Sequence, residues 1–301
     1  MISIVIPTYK RPQDLARLLA SIYADIGLRE DVTIVVADND ARGSAYAAIE
    51  AFAARTGRTV DYAIEPDPGV SNARNNAMAR VDSRYVLFLD DDMEVVPPYL
   101  DPLMETARAL GTAITFAPAV ASLPDGVERW SPWLSPLFSR EFDGETRVVT
   151  DTLGTGGCLV DLQGLTLPSP VFDPALNEVG GEDDAFFNHI IALGGTVGWC
   201  AEAKAWEHVP PHRATPRYLW SRHFAFGQTP TREAADHAVL GVVKWMGVGL
   251  VQTAVHAPLY AMHRLLGRPS AIGHLGRLAQ GVGKIFWWDS LSPRLYGRKA
   301  R

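Results

Sequence analysis

Short apolar runs alternate with amphipathic stretches along the amino-terminal third of the chain. Ile2 to Pro7 is apolar except at Ser3, the pattern of a strand buried on both faces. Pro12 then opens a helix, because proline suits the first helical turn. Leu15, Leu18, Leu19 and Ile22 follow at i, i+3, i+4 and i+7 on one face. Thr33 to Ala37 reads as a second strand, ending in Asp38-Asn39-Asp40. Ser44 is placed to cap a further helix that runs to Thr56, where Gly57 stops it. Thr59 to Ile64 is a third strand, Ser71 to Val81 a helix with Ala73, Ala77 and Val81 inward, and Arg84 to Leu89 a fourth strand. Strands alternating with helices predict an α/β architecture built on a doubly wound, mostly parallel sheet.

The fourth strand runs straight into Asp90-Asp91-Asp92. Ligands of such sheets bind beyond the carboxyl ends of the strands. Four polar clusters fall there: Thr8 to Arg11, Asp38 to Asp40, Pro66 to Asn76, and Asp90 to Asp92. They converge on one edge, as a nucleotide site requires. Adjacent carboxylates repel one another unless a cation lies among them, and the simplest candidate is Mg²⁺ or Mn²⁺ holding a diphosphate. The rival reading is a solvated acidic turn with Asp92 as a helix cap. The chain has no G-x-G-x-x-G and no G-x-x-x-x-G-K-[ST], which argues against a dinucleotide fold or a P-loop.

Residues 112–236 are less regular. They carry Gly154-Thr155-Gly156-Gly157, and then Gly180-Gly181-Glu182-Asp183-Asp184 leading into a helix with Phe186, Ile190 and Ile191 inward. Asp183 or Asp184 is a candidate cap for that helix. Farther on, Trp245 to Met262 is an 18-residue run without Lys, Arg, Asp or Glu. A spanning helix needs about 17–25 residues, so this run touches the lower limit. It contains Gln252, Thr253, His256 and Pro258 and is flanked by bases. That favours an interfacial amphipathic hairpin, with Trp245, Tyr260, Trp287 and Trp288 at headgroup level, over a soluble helical subdomain.

Charge sharpens the division. Residues 237–301 hold nine Lys/Arg and one acid, Asp289, whereas residues 1–236 hold 19 bases and 33 acids within an overall net charge of −6. The acidic part is unsuited to nucleic acid, and the basic, apolar, aromatic part suits an anionic membrane surface. Hydrophobic residues make up 47% of the chain, enough for a sizeable core. Cys158 and Cys200 form neither a disulfide framework nor a metal-ligand spacing, which fits a reducing, cytosolic setting. A strand-like run begins at Ile2 without a basic leader, so no signal peptide is expected.

Five motifs in series carry a family resemblance. They are Ile4-Val5-Ile6-Pro7-Thr8-Tyr9 with Arg11; Asp38; Gly69-Val70-Ser71-Asn72-Ala73-Arg74-Asn75; Phe88-Leu89-Asp90-Asp91-Asp92; and Gly181-Glu182-Asp183. In order and spacing the chain resembles the family-2 inverting glycosyltransferases of GT-A fold, over about residues 1–225. Phe172-Asp173-Pro174 and Glu207-His208-Val209-Pro210-Pro211-His212-Arg213 narrow the resemblance to bacterial exopolysaccharide glycosyltransferases of the succinoglycan type.

The resemblance implies a nucleotide-sugar-binding half at 1–110 and an acceptor-binding and catalytic half at 111–236, and the basic, apolar composition of 237–301 adds a membrane-associating helical segment. It implies a UDP-sugar donor, Mg²⁺ or Mn²⁺, and a lipid-linked glycan acceptor at the cytoplasmic face of the inner membrane, with the protein peripheral to it. Donor binding falls to Pro7, Thr8, Tyr9, Arg11, Asp38, Asn72, Arg74, Asp90 and Asp91, with Asp38 suited to accept the N3–H of a uracil. Asp92 and Asp90 are the implied metal ligands, and His208 is a further candidate in competition with His212 and His223. Asp183 matches the catalytic base, while Gly156, Gly157 and Glu182 are assigned to the acceptor. Trp220-Ser221-Arg222-His223 stands where processive members carry Q-x-x-R-W and matches it poorly, so one sugar per encounter is expected and the role of Arg222 stays open. Two rivals remain: a nucleotidyltransferase, disfavoured because Pro7 to Pro12 has bases but no glycine, and an inactive sugar-nucleotide-binding scaffold of a membrane glycan assembly.

Overall fold

A computed structural model describes residues 1–177 and 180–293. The amino-terminal alternation is β1 (Ile2–Thr8), α1 (Pro12–Ile26), β2 (Val32–Asp38), α2 (Tyr46–Thr56), β3 (Asp61–Ile64), α3 (Val70–Met78) and β4 (Tyr85–Phe88). There follow β5 (Met93–Val96), α4 (Leu100–Leu110), β6 (Ile114–Phe116), β7 (Ala119–Ser122), α5 (Ser131–Phe138), β8 (Arg147–Val149), β9 (Cys158–Asp161), α6 (Glu182–Ala192), β10 (Val197–Trp199) and β11 (Lys204–His208). The carboxyl-terminal helices are α7 (Pro216–Ala235), α8 (Val239–Leu265) and α9 (Ala271–Ile285).

The main sheet has the order β3-β2-β1-β4-β9-β6-β10-β8. Its first four strands are parallel, as the βα alternation requires. Beyond them β9 runs antiparallel to both neighbours, and only β6 and β10 pair in parallel. The departure from a mostly parallel sheet therefore lies in the stretch whose sequence lacks that alternation. Strands β5, β11 and β7 form a separate three-stranded sheet.

The two faces of β1 feed different cores. Ile2, Ile4 and Ile6 join Leu15, Leu18, Leu19 and Ile22 of α1, while Val5 joins Ala73 and Ala77 of α3 and Phe186 and Ile190 of α6. This is why β1 reads as a continuous apolar run rather than an alternation. Each of the fully buried α1 leucines contributes about 1.5–3 kcal/mol of transfer free energy. Helix α2 begins at Tyr46, and Ser44 does not cap it. The Asp38 carboxylate accepts from the Ala45 N–H instead, at 2.7 Å, and leaves the Ser44 hydroxyl buried without a partner.

By contact the chain divides into one unit of residues 1–121 and 139–208 and another of residues 122–138 and 209–301. In the second unit α7, α8 and α9 pack through glycines. A Cβ on Gly249 would lie 2.7 Å from the Gly281 carbonyl oxygen, so the backbones of α8 and α9 meet more closely than any larger residue allows. Helix α8 is 27 residues long and contains an 18-residue window with a mean hydropathy of 1.3, almost none of which is covered. Leu240, Val243, Leu250 and Val251 are exposed along it. The run from Trp245 to Met262 lies within α8 and is followed by α9, giving a helical hairpin.

Candidate active site

Strands β1 and β4 are neighbours in register Val5 to Phe88, so the chain segments that leave them run side by side. The Thr8 hydroxyl donates to Asp91 Oδ2 at 2.8 Å. Arg11 Nη1 donates to Asp91 Oδ1 and to Asp92 Oδ2, both at 3.0 Å. Asp91 is thus a buried clamp between two loops. Burial pushes its carboxyl up to about 6, against the lowering effect of Arg11 and with a further upward push from Asp92. Burial would lower the Arg11 guanidinium, but Asp91, Asp92 and Asp14 together hold it above its ordinary value.

On the other side of β1, Asp38 ends β2 fully buried. Oδ1 accepts from the Asp40 N–H at 3.0 Å, and Oδ2 accepts from the Ala45 N–H at 2.7 Å and the Tyr62 hydroxyl at 2.9 Å. An ionised carboxylate has about four lone-pair sites, and three are taken. Asn39 organises the next loop. Its amide donates to the Glu65 and Asp67 carbonyls and its oxygen accepts from the Gly69 N–H. The Asn72 amide also reaches back to the Asp67 and Pro68 carbonyls. Tyr9 presents an open ring, 51% exposed, with Lys10 over its face.

Helix α3 is stitched to the loop before α6. Asn75 and Phe172 exchange two hydrogen bonds, side chain to backbone, as paired strands do. The Asn177 oxygen accepts from the Ser71 N–H at 2.8 Å. Gly69 adopts φ 140° at the start of α3, and a Cβ there would lie 2.3 Å from the Asn177 side chain, so both backbone and space require glycine. From this helix Arg74 Nη1 donates to Glu182 Oε1 at 2.8 Å and Nη2 to Asp90 Oδ1 at 3.4 Å.

Helix α6 starts after Gly181, whose φ of 90° suits glycine, and no side chain caps it. Asp183 and Asp184 stand in the first turn, and Asp183 Oδ1 accepts from the Asp184 N–H at 3.0 Å. Burial, then Asp183 and Glu182, raise the Asp184 carboxyl. The absent Cβ of Gly154 would lie 3.3 Å from Asp183 Oδ2 and 3.4 Å from Arg140 Cδ. Arg140 and Asp183 thus come close to one another beside Gly154. Its Nη1 pairs with Glu207 at 2.9 Å, and its Nη2 stands 3.7 Å from Asp90. Burial would lower this guanidinium, but Glu207, Asp90, Asp92 and Asp183 hold it above its ordinary value.

The model of glycosyl transferase family 2 matches residues 3–159. A curated relative, the succinoglycan biosynthesis protein ExoM of Rhizobium meliloti (strain 1021), is 33% identical over 242 residues, covering 79% of this chain and 76% of the relative. The chain belongs to glycosyl transferase family 2. Among solved structures, S. aureus TarS 1-349 shares the fold with a TM-score of 0.52 at 13% identity, over 94% of this chain and 90% of that one. TarS has also been solved in complex with UDP and with UDP-GlcNAc. The fold of this glycosyltransferase is thus GT-A, as the motif series predicts.

Around Asp90 to Asp92 the carboxylates of the glycosyltransferase already meet cations. Arg11 pairs with Asp91 and Asp92, and Arg74 and Arg140 stand beside Asp90, so part of the charge at this edge is balanced within the chain. Metal still fits the donor set. Glu182, Asp183 and Glu207 join the aspartate triplet, so carboxylates outnumber guanidinium groups at this edge, and hard oxygen ligands suit Mg²⁺ or Mn²⁺. Among the described residues no three His, Cys, Asp or Glu side chains form a closed cage. The fit is therefore to an ion held by one or two carboxylates and completed by other oxygens. His208 Nε2 stands 2.6 Å from Glu94 Oε2, and its backbone N–H donates to the Asp92 carbonyl.

Gly156 and Gly157 are buried. A Cβ on Gly156 would lie 2.5 Å from both Asp90 Oδ2 and Arg140 Nη2, so its place is to let those two side chains approach. Gly157 holds β4 and β6 together, donating to the Phe88 carbonyl and accepting from Ala117. The sequence named neither Arg140 nor Asn177 as a site residue, and it placed Asn39 in a polar cluster without a role of its own. Arg140 lies in an irregular segment that meets β7 through an isolated bridge to Ala119, and nothing local marks it.

Proposed function

We propose that this enzyme is an inverting glycosyltransferase that moves a sugar from a UDP-sugar to a hydroxyl of a growing, lipid-linked bacterial exopolysaccharide. The observation that carries the reading is the meeting of Asp183, at the amino end of α6, with the Asp90 edge through Arg140. The nucleobase lies over the loops Pro7 to Arg11 and Asp38 to Asp40, with Tyr9 offering a stacking face and Asp38 exchanging an internal donor for the uracil N3–H. Asp90 and Asp92 would hold the metal, and His208, which pairs with Glu94, would join them only by giving up that partner. When bound, Mg²⁺ or Mn²⁺ supplies Lewis-acid stabilisation of the leaving diphosphate. Asp183 removes the proton of the acceptor hydroxyl as its oxygen bonds to the anomeric carbon and UDP departs with the bonding electrons. Glu182, held by Arg74, fixes the first turn of α6 on which Asp183 stands.

The donor class is tested by thermal unfolding with UDP, GDP, TDP and CDP, each with and without Mn²⁺. A ligand at a hundred times its Kd adds about 2.7 kcal/mol, so UDP with Mn²⁺ is expected to raise Tm by roughly 5–10 °C. An equal or larger rise with another nucleotide overturns the UDP assignment.

The acceptor is lipid-linked in this reading because of α8 and the basic surplus of residues 237–301. An exposed apolar helix with a basic carboxyl-terminal region suits an anionic bilayer, peripherally and on the cytoplasmic face. The protein is expected to co-sediment with vesicles containing phosphatidylglycerol. Leu250→Glu together with Val251→Glu releases it. Sedimentation unchanged by both substitutions removes α8 from the membrane contact.

A further inference from the structure

Asp90 has an arginine beside each of its oxygens, and neither contact is tight. Arg74 Nη2 stands 3.4 Å from Oδ1, and Arg140 Nη2 stands 3.7 Å from Oδ2. A full charge-assisted bond between guanidinium and carboxylate is about 2.7–2.9 Å long. Each arginine is anchored elsewhere, Arg74 Nη1 on Glu182 at 2.8 Å and Arg140 Nη1 on Glu207 at 2.9 Å. Among the described residues the second arm of Arg140 has two contacts, both long: Asp90, and the Gly156 carbonyl at 3.5 Å. The two arginines also differ in access. The Arg74 side chain is nearly enclosed, whereas those of Arg140 and Asp90 are 26% and 31% exposed. The backbone provides for the Arg140–Asp90 contact, because a Cβ on Gly156 would lie 2.5 Å from both atoms and force them apart.

We propose that Arg140 is a donor-binding residue that changes partner: it balances Asp90 while no metal is bound, and its Nη2 arm passes to the diphosphate of the nucleotide sugar once a metal takes Asp90. The inference rests on the reading of Asp90 as a metal ligand. A divalent cation and a guanidinium repel one another, so they compete for the same carboxylate oxygen. An ion held by one or two carboxylates takes phosphate oxygens of its substrate as further ligands. The ion that displaces Nη2 therefore also sets an anion beside it. Nη1 stays on Glu207, so the guanidinium turns about a fixed point instead of leaving the site. A guanidinium serves this task because its separate N–H arms can hold a carboxylate and a phosphate at once. The group recognised is the diphosphate, and the contact reads neither the sugar nor the base. Metal alone has to compete with Arg140, whereas metal with nucleotide offers that arginine a new partner, so the two ligands bind cooperatively.

Arg140→Gln separates the two roles, because they move two affinities in opposite directions. Mn²⁺ binding without nucleotide is followed by loss of the free-ion paramagnetic resonance signal, and UDP binding in saturating Mn²⁺ by calorimetry. The variant is expected to bind Mn²⁺ alone roughly tenfold tighter, since a competing cation is gone. It is expected to bind UDP in Mn²⁺ roughly tenfold more weakly, since a charge-assisted bond to phosphate is lost. A chain that merely folds less well would lose both affinities. Arg140→Lys keeps a cation against Glu207, and so decides the matter if the glutamine variant does not fold. It lacks the second arm, and the same two shifts are expected at smaller size. Mn²⁺ affinity that is unchanged or weakened overturns the counter-ion role, and unchanged UDP affinity overturns the change of partner. Asp90→Asn keeps the two failures apart. If it loses Mn²⁺ binding while the Arg140 variants match the wild type, only the Arg140 inference falls. If it binds Mn²⁺ as the wild type does, or neither binds the ion, the metal reading falls and this inference with it.

Discussion

Asp183→Asn is expected to lower sugar transfer by about 10²–10⁴-fold, the usual contribution of a general base, and to leave UDP affinity unchanged. The amide has the shape of the carboxylate but cannot accept the acceptor proton. Its surroundings tolerate the exchange. The Asp183 side chain makes a local contact to the Asp184 N–H, which an amide oxygen also accepts, and it caps no other backbone group in the described residues. The lost charge at the amino terminus of α6 costs about 0.3–1 kcal/mol, a small fall in Tm. Transfer and UDP affinity are therefore the two readouts to compare. Full transfer by the variant removes Asp183 as the base, and Asp184, next in the helix and held more protonated by burial, is then the carboxylate to test.

The second large effect is on stability. Arg74→Ala leaves Glu182 and Asp90 without the guanidinium that joins them, and the side chains of Arg74 and Glu182 are only 6% and 11% exposed. Breaking a buried ion pair by removing one partner costs about 3–5 kcal/mol, because the other charge stays buried and unpaired. For a chain of this size that is a fall in Tm of roughly 5–15 °C. Adding Glu182→Gln to the same chain is expected to recover part of the loss, since a neutral amide needs no cation. The interaction term from the double-mutant cycle measures the pair. A loss in Arg74→Ala of less than about 2 °C would mean that water reaches Glu182 freely and that α6 is not held through Arg74.

Transfer should fall in Arg74→Ala as well, because one arginine holds both the end of β4 and the first turn of α6. This link is invisible in the sequence, where Arg74 and Glu182 are 108 positions apart. Asp91 teaches the same lesson from the other direction. As one of three adjacent aspartates it reads as a ligand-facing carboxylate, yet the side chain turns inward to Thr8 and Arg11. Ser44 matched the composition of a cap, but Asp38 took the backbone donor first, seven residues away.

Local patterns were enough for β1, α1, β2, α2, β3, α3 and β4, because each buries its own apolar residues at a period of its own and a proline or glycine marks several of the ends. The motif series was enough for the family, and the long run without charged residues was enough to mark α8. Only the tertiary structure decided the antiparallel entry of β9, the arginine partner of each carboxylate, and the approach of Arg140 to Asp183 across Gly154. The physical reason is that charges and hydrogen-bond donors act over a few ångströms, and those distances are set by strand register and loop contacts between segments far apart in the chain.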